Sequence, residues 1–201
     1  MRALCTTLSF LGAILPAHLG AQWYAGIEVA THRYRGSAHD TSATHVAADG
    51  RPDGGAVIAV RLDRRWQRWR AALTISYANP GFAVGGSGLN VTDKTTGKLY
   101  ELSSLISTRV GGIGPSGAVR LEWGPALHLW NFDGELHRRL GAVGAATYEW
   151  LIAGRTTGAV RLETMFSKSW FDPGDVPPEY ERRVTWRYGV GLGLRYRLSA
   201  K

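Results

Sequence analysis

The sequence predicts an all-β chain: an eight-stranded antiparallel up-and-down transmembrane β-barrel. Three observations predict it. Eight stretches alternate apolar and polar residues with period two. No apolar run of about eighteen residues follows the N-terminal segment, so spanning by helices is excluded. The polar face of the stretches carries long charged side chains interleaved with Gly, Ala and Ser. An eight-stranded interior is only just wide enough for side chains, so small neighbours must make room for each arginine. A solvated face has no such need. A soluble, lipocalin-like ligand-binding barrel would keep its apolar face inside; the interleaving favours the inverted arrangement of a membrane barrel.

The chain has 201 residues, enough for one domain. Met1 to Ala21 reads as a signal peptide: Arg2 is the positive n-region, Leu8 to Leu15 the apolar core, and Leu19-Gly20-Ala21 the small-residue end. A barrel domain over 22–201 is expected to follow. Cys5 is the only cysteine and lies inside the leader, so disulfides play no part in the mature fold.

The first stretch, Gln22 to Tyr34, sets Trp23, Ala25, Ile27 and Val29 against Tyr24, Gly26, Glu28 and His32. In the second, Ala56, Ile58, Val60 and Leu62 oppose Val57, Ala59, Arg61 and Asp63. The third sets Trp69, Ala71, Leu73, Ile75 and Tyr77 against Arg70, Ala72, Thr74, Ser76 and Ala78. In the fourth, Tyr100, Leu102, Ser104, Ile106 and Val110 oppose Glu101, Ser103, Ser107 and Arg109. The fifth sets Val119, Leu121, Trp123, Leu127 and Leu129 against Arg120, Glu122, Gly124 and His128. Pro125 interrupts it and cannot donate to a ladder, so a bulge or bend is expected at Gly124-Pro125. The sixth opposes Leu140, Ala142, Ala146, Tyr148, Trp150 and Ile152 to Arg139, Thr147 and Glu149. In the seventh, Val160, Leu162, Thr164 and Phe166 face away from Arg161, Glu163 and Ser167. The eighth runs from Val184 to Leu198, with Arg187, Gly189, Gly191, Gly193 and Arg195 on its polar face. Each stretch is about long enough for a tilted strand to cross a bilayer, which takes roughly 9–11 residues.

Connections alternate in length. Those near Gly36–Gly54, Asn79–Gly97, Asn131–Arg138 and Phe171–Arg183 are long; those near Arg64–Arg68, Gly111–Gly117 and Ala153–Thr157 are short. Long loops on one side and tight turns on the other are the topology of transmembrane barrels, with the long side extracellular. Gly117–Glu122 also recurs as Gly158–Glu163, in strands of the same direction.

Charges inside so narrow a lumen must pair, because an isolated buried charge costs several kcal/mol. The expected network is Glu28, Arg61, Arg70, Glu101, Arg109, Arg120, Glu122, Glu149, Arg161, Glu163, Arg187 and Arg195, with Asp63 on the same face. Arginine, whose planar fork suits such pairing, outnumbers lysine twenty to four. Aromatic residues on the apolar face gather at two levels. Trp23, Trp69, Trp150 and Tyr196 form one, and Tyr77, Tyr100, Trp170, Trp186 and Tyr188 the other. Amphipathic rings favour the headgroup level. Trp123 fits neither level.

On these residues the chain resembles the small eight-stranded bacterial outer-membrane β-barrel proteins, the group of the OmpA membrane domain and OmpX. The most specific part of the resemblance is terminal: Gly191, Gly193, Tyr196 and Leu198 approximate the barrel-assembly signal, in which a glycine precedes an aromatic and a final hydrophobic residue. Most members end on an aromatic residue, whereas here Leu198 is followed by Ser199-Ala200-Lys201. The resemblance implies an outer-membrane location, outer-membrane lipid and lipopolysaccharide as partners, and the barrel-assembly machinery during biogenesis.

The formal net charge is +8, but the positive charges are spread along the strands, so nucleic acid is not the expected partner. No phosphate-binding loop, nucleophile elbow or HExxH motif is present. His39, Asp40, His45 and Asp49 share the first long loop at a spacing that matches no metal site. A lipid A-modifying enzyme is the catalytic alternative. It needs a His–Ser pair with a carboxylate near the outer leaflet, and Ser167 and Ser169 have no neighbouring His. The basic pairs Arg138-Arg139 and Arg182-Arg183 suit lipopolysaccharide phosphates. The expectation is therefore a monomeric, non-enzymatic barrel without cofactor or metal, with a charge-plugged lumen and an envelope-structural or surface-interaction role.

Overall fold

Period-two alternation makes strands because successive side chains leave a pleat on opposite faces. The structure, a computed structural model, describes residues 22–40, 48–86, 89–93, 97–132, 134–169, 171–172, 174 and 178–198. The expected signal segment, Trp170 and His45 lie outside these. In chain order the strands are β1 (Gln22–Arg35), β2 (Ala38–Asp40), β3 (Ala48–Asp53), β4 (Gly55–Trp66), β5 (Trp69–Ala78), β6 (Gly81–Gly86) and β7 (Leu89–Asp93). There follow β8 (Gly97–Gly111), β9 (Ala118–Phe132), β10 (Glu135–Ala153), β11 (Thr156–Ser167), β12 (Tyr180–Arg182) and β13 (Thr185–Arg197).

Eight of them close a barrel in the order β1-β13-β11-β10-β9-β8-β5-β4. Every neighbouring pair is antiparallel, and closure runs from Tyr24↔Arg197 to Arg35↔Trp186. The all-β, eight-stranded up-and-down barrel is thus present. Closure leaves the barrel without a free strand edge, which is what allows a sheet to sit in hydrocarbon.

The long connections are more ordered than the sequence implies. β12, β2, β3, β6 and β7 form a second, five-stranded sheet at the long-loop end, joining three connections. The connection expected as long near Asn131–Arg138 is a tight hairpin. Phe132 pairs with Glu135, and Gly134 turns the chain at a φ of 88°. Gly134 supplies the positive φ that a tight hairpin turn requires, so β9 and β10 simply continue outward.

The bulge expected at Gly124-Pro125 is absent. β9 pairs with β10 without a break through Ala142↔Pro125. On the other side its register with β8 is the same before and after Ser104 and Leu105, where the pairing lapses. Gly124 explains the tolerance: a Cβ there would collide with the Ser104 carbonyl, so its absence lets the two strands stay close. The face assignment therefore holds past Pro125, and Trp130 points inward, fully buried.

The exterior is apolar. Ile27, Ile58, Val60, Ile75 and Leu192 are each about 60 % exposed, with the buried charged residues on the opposite face of the same strands. This is the inverse of a soluble barrel. Aromatic rings cluster at both ends. Trp69 meets Trp123 edge-to-face at 6.3 Å and Tyr148 stacks on Trp150 at 5.7 Å near the short turns. Tyr77 meets Tyr100 at 5.2 Å and Phe166 meets Trp186 at 5.5 Å near the long loops. Trp123, unplaced from sequence, belongs to the short-turn girdle because strand stagger brings it to the level of Trp69.

Candidate functional site: the charged lumen and its two ends

Inward-facing residues build the site, so its contents follow from the pleat of each strand. Six carboxylates (Glu28, Asp63, Glu101, Glu122, Glu149, Glu163) and six guanidiniums (Arg61, Arg70, Arg120, Arg161, Arg187, Arg195) face the lumen among the described residues. They meet in layers.

Nearest the short turns, Glu149 of β10 gathers three arginines. Arg70 of β5 donates to it through both terminal nitrogens, at 2.5 and 3.1 Å. Arg120 of β9 donates through Nε at 3.1 Å, and Arg195 of β13 through Nη1. In the middle, Glu122 accepts from Arg61 at 2.8 Å, from Arg161 and from the Thr147 hydroxyl at 3.2 Å. Arg61 also donates to Asp63 at 2.9 Å, and Arg195 to Glu28 at 3.0 Å. Toward the long loops, Arg187 bridges Glu101 at 2.7 Å and Glu163 at 2.6 Å. His128 lies 3.1 Å from Glu101, and His32 lies 3.7 Å from Glu163.

Of the residues expected in this network, Arg109 alone stands outside. It is exposed beside the register shift between Arg109 and Gly111, where its side chain donates to the carbonyls of Gly111 and Gly117. β8 ends there, so a position that continues the alternation has left the lumen. Asp63, expected on the same face, is part of the network through Arg61. The recurring hexapeptides meet directly, since Arg161 of the second copy donates to Glu122 of the first.

The glycines of β13 make room across the strand boundary rather than along it. A Cβ at Gly193 would lie 2.9 Å from Glu28 Cγ, and one at Gly189 would collide with the His32 ring. The small residues thus serve the side chains of β1. Tyr196 and Leu198, the rest of the expected assembly signal, are about half exposed on the outer face.

Part of the interior is apolar: Val57, Ala72 and Ala78 hold the inward face expected of them, while Leu99, Leu105, Trp130, Val143 and Met165 had no expected place there. Tyr34, Val57, Ala78, Leu99 and Trp130 cap the lumen at the long-loop end, with Phe82 of the second sheet packed against them. Tyr34 meets Trp130 edge-to-face at 6.0 Å. A second cluster, Ala72, Leu105, Ala126, Val143 and Met165, lines one side lower down. The signal that could have found the cap was available: Tyr34, Val57, Leu99 and Trp130 all hold polar-face phase. Beneath it the remaining void, of about 30 Å³, has room for about one water. The opposite end is open, as a vestibule of about 550 Å³ lined by Arg65, Arg70, Arg109, Arg120, Arg155 and Arg197 among others.

His39 Nδ1 lies 2.6 Å from Asp49 Oδ1 across the β2–β3 pair, and no group of three or more potential metal ligands occurs among the described residues. Ser167 is buried and donates to the Lys168 carbonyl, while Ser169 donates to the Ser37 carbonyl. Of the basic pairs, Arg139 donates to the Ser169 carbonyl and to Asp172, and Arg183 pairs with Glu181. Arg182 reaches the Phe171 carbonyl at 3.5 Å, and Arg138 is exposed.

His137, Arg139 and Asp172 form a latch between the β9–β10 hairpin and the last long connection, each 2.8 Å from the carboxylate. The His137 hydrogen bond, helped by the Arg139 charge, holds the Asp172 carboxyl below its ordinary range against the opposing effect of desolvation. A depressed carboxyl contributes stability that is present above the unfolded value and lost as pH falls through the folded one. Hydrogen exchange around Asp172 is expected to accelerate below about pH 4, relative to Asp172→Asn, which lacks that step. Equal pH responses of the two proteins would show that the latch contributes nothing.

No family model matches the sequence, and no curated protein is similar to it. Among solved structures, the outer membrane protein OprG from Pseudomonas aeruginosa superposes with a TM-score of 0.61 at 13 % identity, over 91 % of this chain and 98 % of that one. Neisserial surface protein A (NspA) superposes with a TM-score of 0.58 at 11 % identity, over 90 % of this chain and 100 % of that one. At such identities the likeness is one of fold. The chain has the fold of the small eight-stranded outer-membrane barrels.

Proposed function

We propose that this barrel resides in the bacterial outer membrane as a non-enzymatic protein with an envelope-structural or surface-interaction role, its lumen closed to ions. One observation carries the reading: polarity is inverted, with an apolar belt between two aromatic girdles outside and paired charges inside. A wall of that kind is stable only where hydrocarbon surrounds it. The long-loop end, with its extra sheet, then faces the exterior and offers the surface for partners. Lipid and lipopolysaccharide are the partners it is built to meet. Arg33, Arg35, Lys98, Arg138 and Lys168 are exposed at the outer ends of their strands, where lipid phosphates would lie. Arg35 sits over the Tyr188 ring at 5.7 Å, at the level of the outer girdle.

Closure of the lumen rests on two devices in series, the apolar cap around Trp130 and the ion-paired layers beneath. The lipid A-enzyme reading is disfavoured by placement. His32 and His128 are buried inside the barrel rather than on its lipid face. In planar bilayers the refolded protein is expected to insert with heat-modifiable mobility and to give no steady conductance. A steady, large-conductance pore would overturn the closed lumen, and recovery in soluble form without detergent would overturn the membrane placement.

A further inference from the structure

Outside the membrane belt, the vestibule at the short-turn end stands apart in its charge. Among the described residues the lumen above it is balanced, six carboxylates to six guanidiniums. Four further arginines line the vestibule: Arg65 at the end of β4, Arg109 at the end of β8, Arg155 in the β10–β11 turn and Arg197 at the end of β13. Among the described residues none of the four has a carboxylate within ion-pair distance. At the inner end Arg70 and Arg120 complete the lining, and Glu149, the one lining carboxylate among the described residues, is already shared among three guanidiniums.

Two polar atoms remain unsatisfied there. Arg70 is only 3 % exposed, lines the cavity, and its Nε has no hydrogen-bond partner; the Nε of Arg197 is likewise buried without one. Buried donors left unpaired are costly, and a guanidinium with an uncommitted N–H suits a carboxylate or phosphate oxygen. Several uncompensated positive charges around one low-dielectric cavity focus field upon an anion. A volume of about 550 Å³ falls within the range of small-ligand pockets.

We propose that this vestibule is a binding site for a compact multivalent oxyanion, a phosphate or diphosphate group that approaches from the short-turn side. A phosphate group fits better than one more carboxylate. It carries about −1.5 to −2 of charge and three strong acceptor oxygens, enough to engage several guanidiniums at once. The site takes its ligand either from solution, as a phosphorylated small molecule, or from the headgroup of a neighbouring phospholipid at the rim. Its geometry does not depend on the role proposed for the outer surface, and binding in micelles is measurable whether or not that role holds.

The test is calorimetric titration of the refolded full chain, in zwitterionic detergent, with inorganic pyrophosphate. One saturable site per barrel is expected, weakening with added salt. Arg65→Gln combined with Arg197→Gln is expected to weaken binding at least roughly tenfold, and Arg155→Gln alone by a smaller factor. Arg155 is an exposed turn residue, so that variant keeps the test informative if the double variant fails to refold. Arg51→Gln combined with Arg68→Gln removes the same charge from outside the cavity and is expected to leave binding unchanged. Absence of saturable binding, or equal weakening by the two double variants, would overturn the site. Repeating the titration in phosphatidylcholine bilayers with and without phosphatidylglycerol separates the sources. Competition by the anionic lipid assigns a headgroup, and unchanged pyrophosphate binding assigns a soluble anion.

Discussion

Glu149→Ala is expected to destabilise the folded barrel by about 3–5 kcal/mol, read as a shift of the urea unfolding midpoint in lipid vesicles. The magnitude comes from what the substitution strands. Arg70, Arg120 and Arg195 all donate to this one carboxylate, and each is no more than 3 % exposed. Removing the acceptor leaves three buried guanidiniums facing one another, and breaking a buried pair costs much more than forming it contributes. A second substitution sharpens the reading. Arg195→Met in the Glu149→Ala background takes away one stranded charge and is expected to restore part of the loss. Arg195 also serves Glu28, so restoration will be incomplete. A loss below about 1 kcal/mol, the range of exposed pairs, would show that water reaches this layer and screens it.

Trp130→Ala is expected to cost a similar amount, about 3–5 kcal/mol, for a different reason. Trp130 is fully buried among Tyr34, Val57, Ala78 and Leu99, so truncation removes a large apolar volume from a cap that cannot collapse against a rigid wall. Conductance separates the two devices that close the lumen. With the cap opened, the Arg187 bridge between Glu101 and Glu163 still lies below it, so the variant is expected to stay non-conducting. A steady pore in Trp130→Ala would assign closure to the cap and leave the ionic layers a purely structural part.

Much of this site was legible in the sequence because the pleat is local. Each residue's face follows from its parity within a strand, and parity placed Arg61, Glu122, Arg187 and the rest of the paired residues on one side. Where strands ended, parity failed: Arg109 continues the alternation of β8 but is its last residue before the register shift, exposed at the rim. Hydrophobicity misled in the other direction. Large apolar residues pointed outward by their chemistry, so the inward positions of Leu99, Leu105 and Trp130 went unassigned, although all three obey the same parity as their polar neighbours. Pro125 shows a local preference overridden, because Gly124 next to it let β8 stay in register without a bulge.

The sequence by itself determined the number of barrel strands, their direction and which face of each is charged, since period two and turn chemistry are read over a few residues. Only the tertiary structure decided which arginine meets which carboxylate. Glu149 draws its partners from β5, β9 and β13, and Arg161 reaches back to the first copy of its own hexapeptide, because stagger between strands shifts each one along its neighbour. Tertiary structure alone also gathered three long connections into one sheet, where the pairing partners are far apart in sequence. It alone turned scattered rim arginines into a single vestibule, because charges become a site only when closure of the barrel brings the ends of its strands around one cavity.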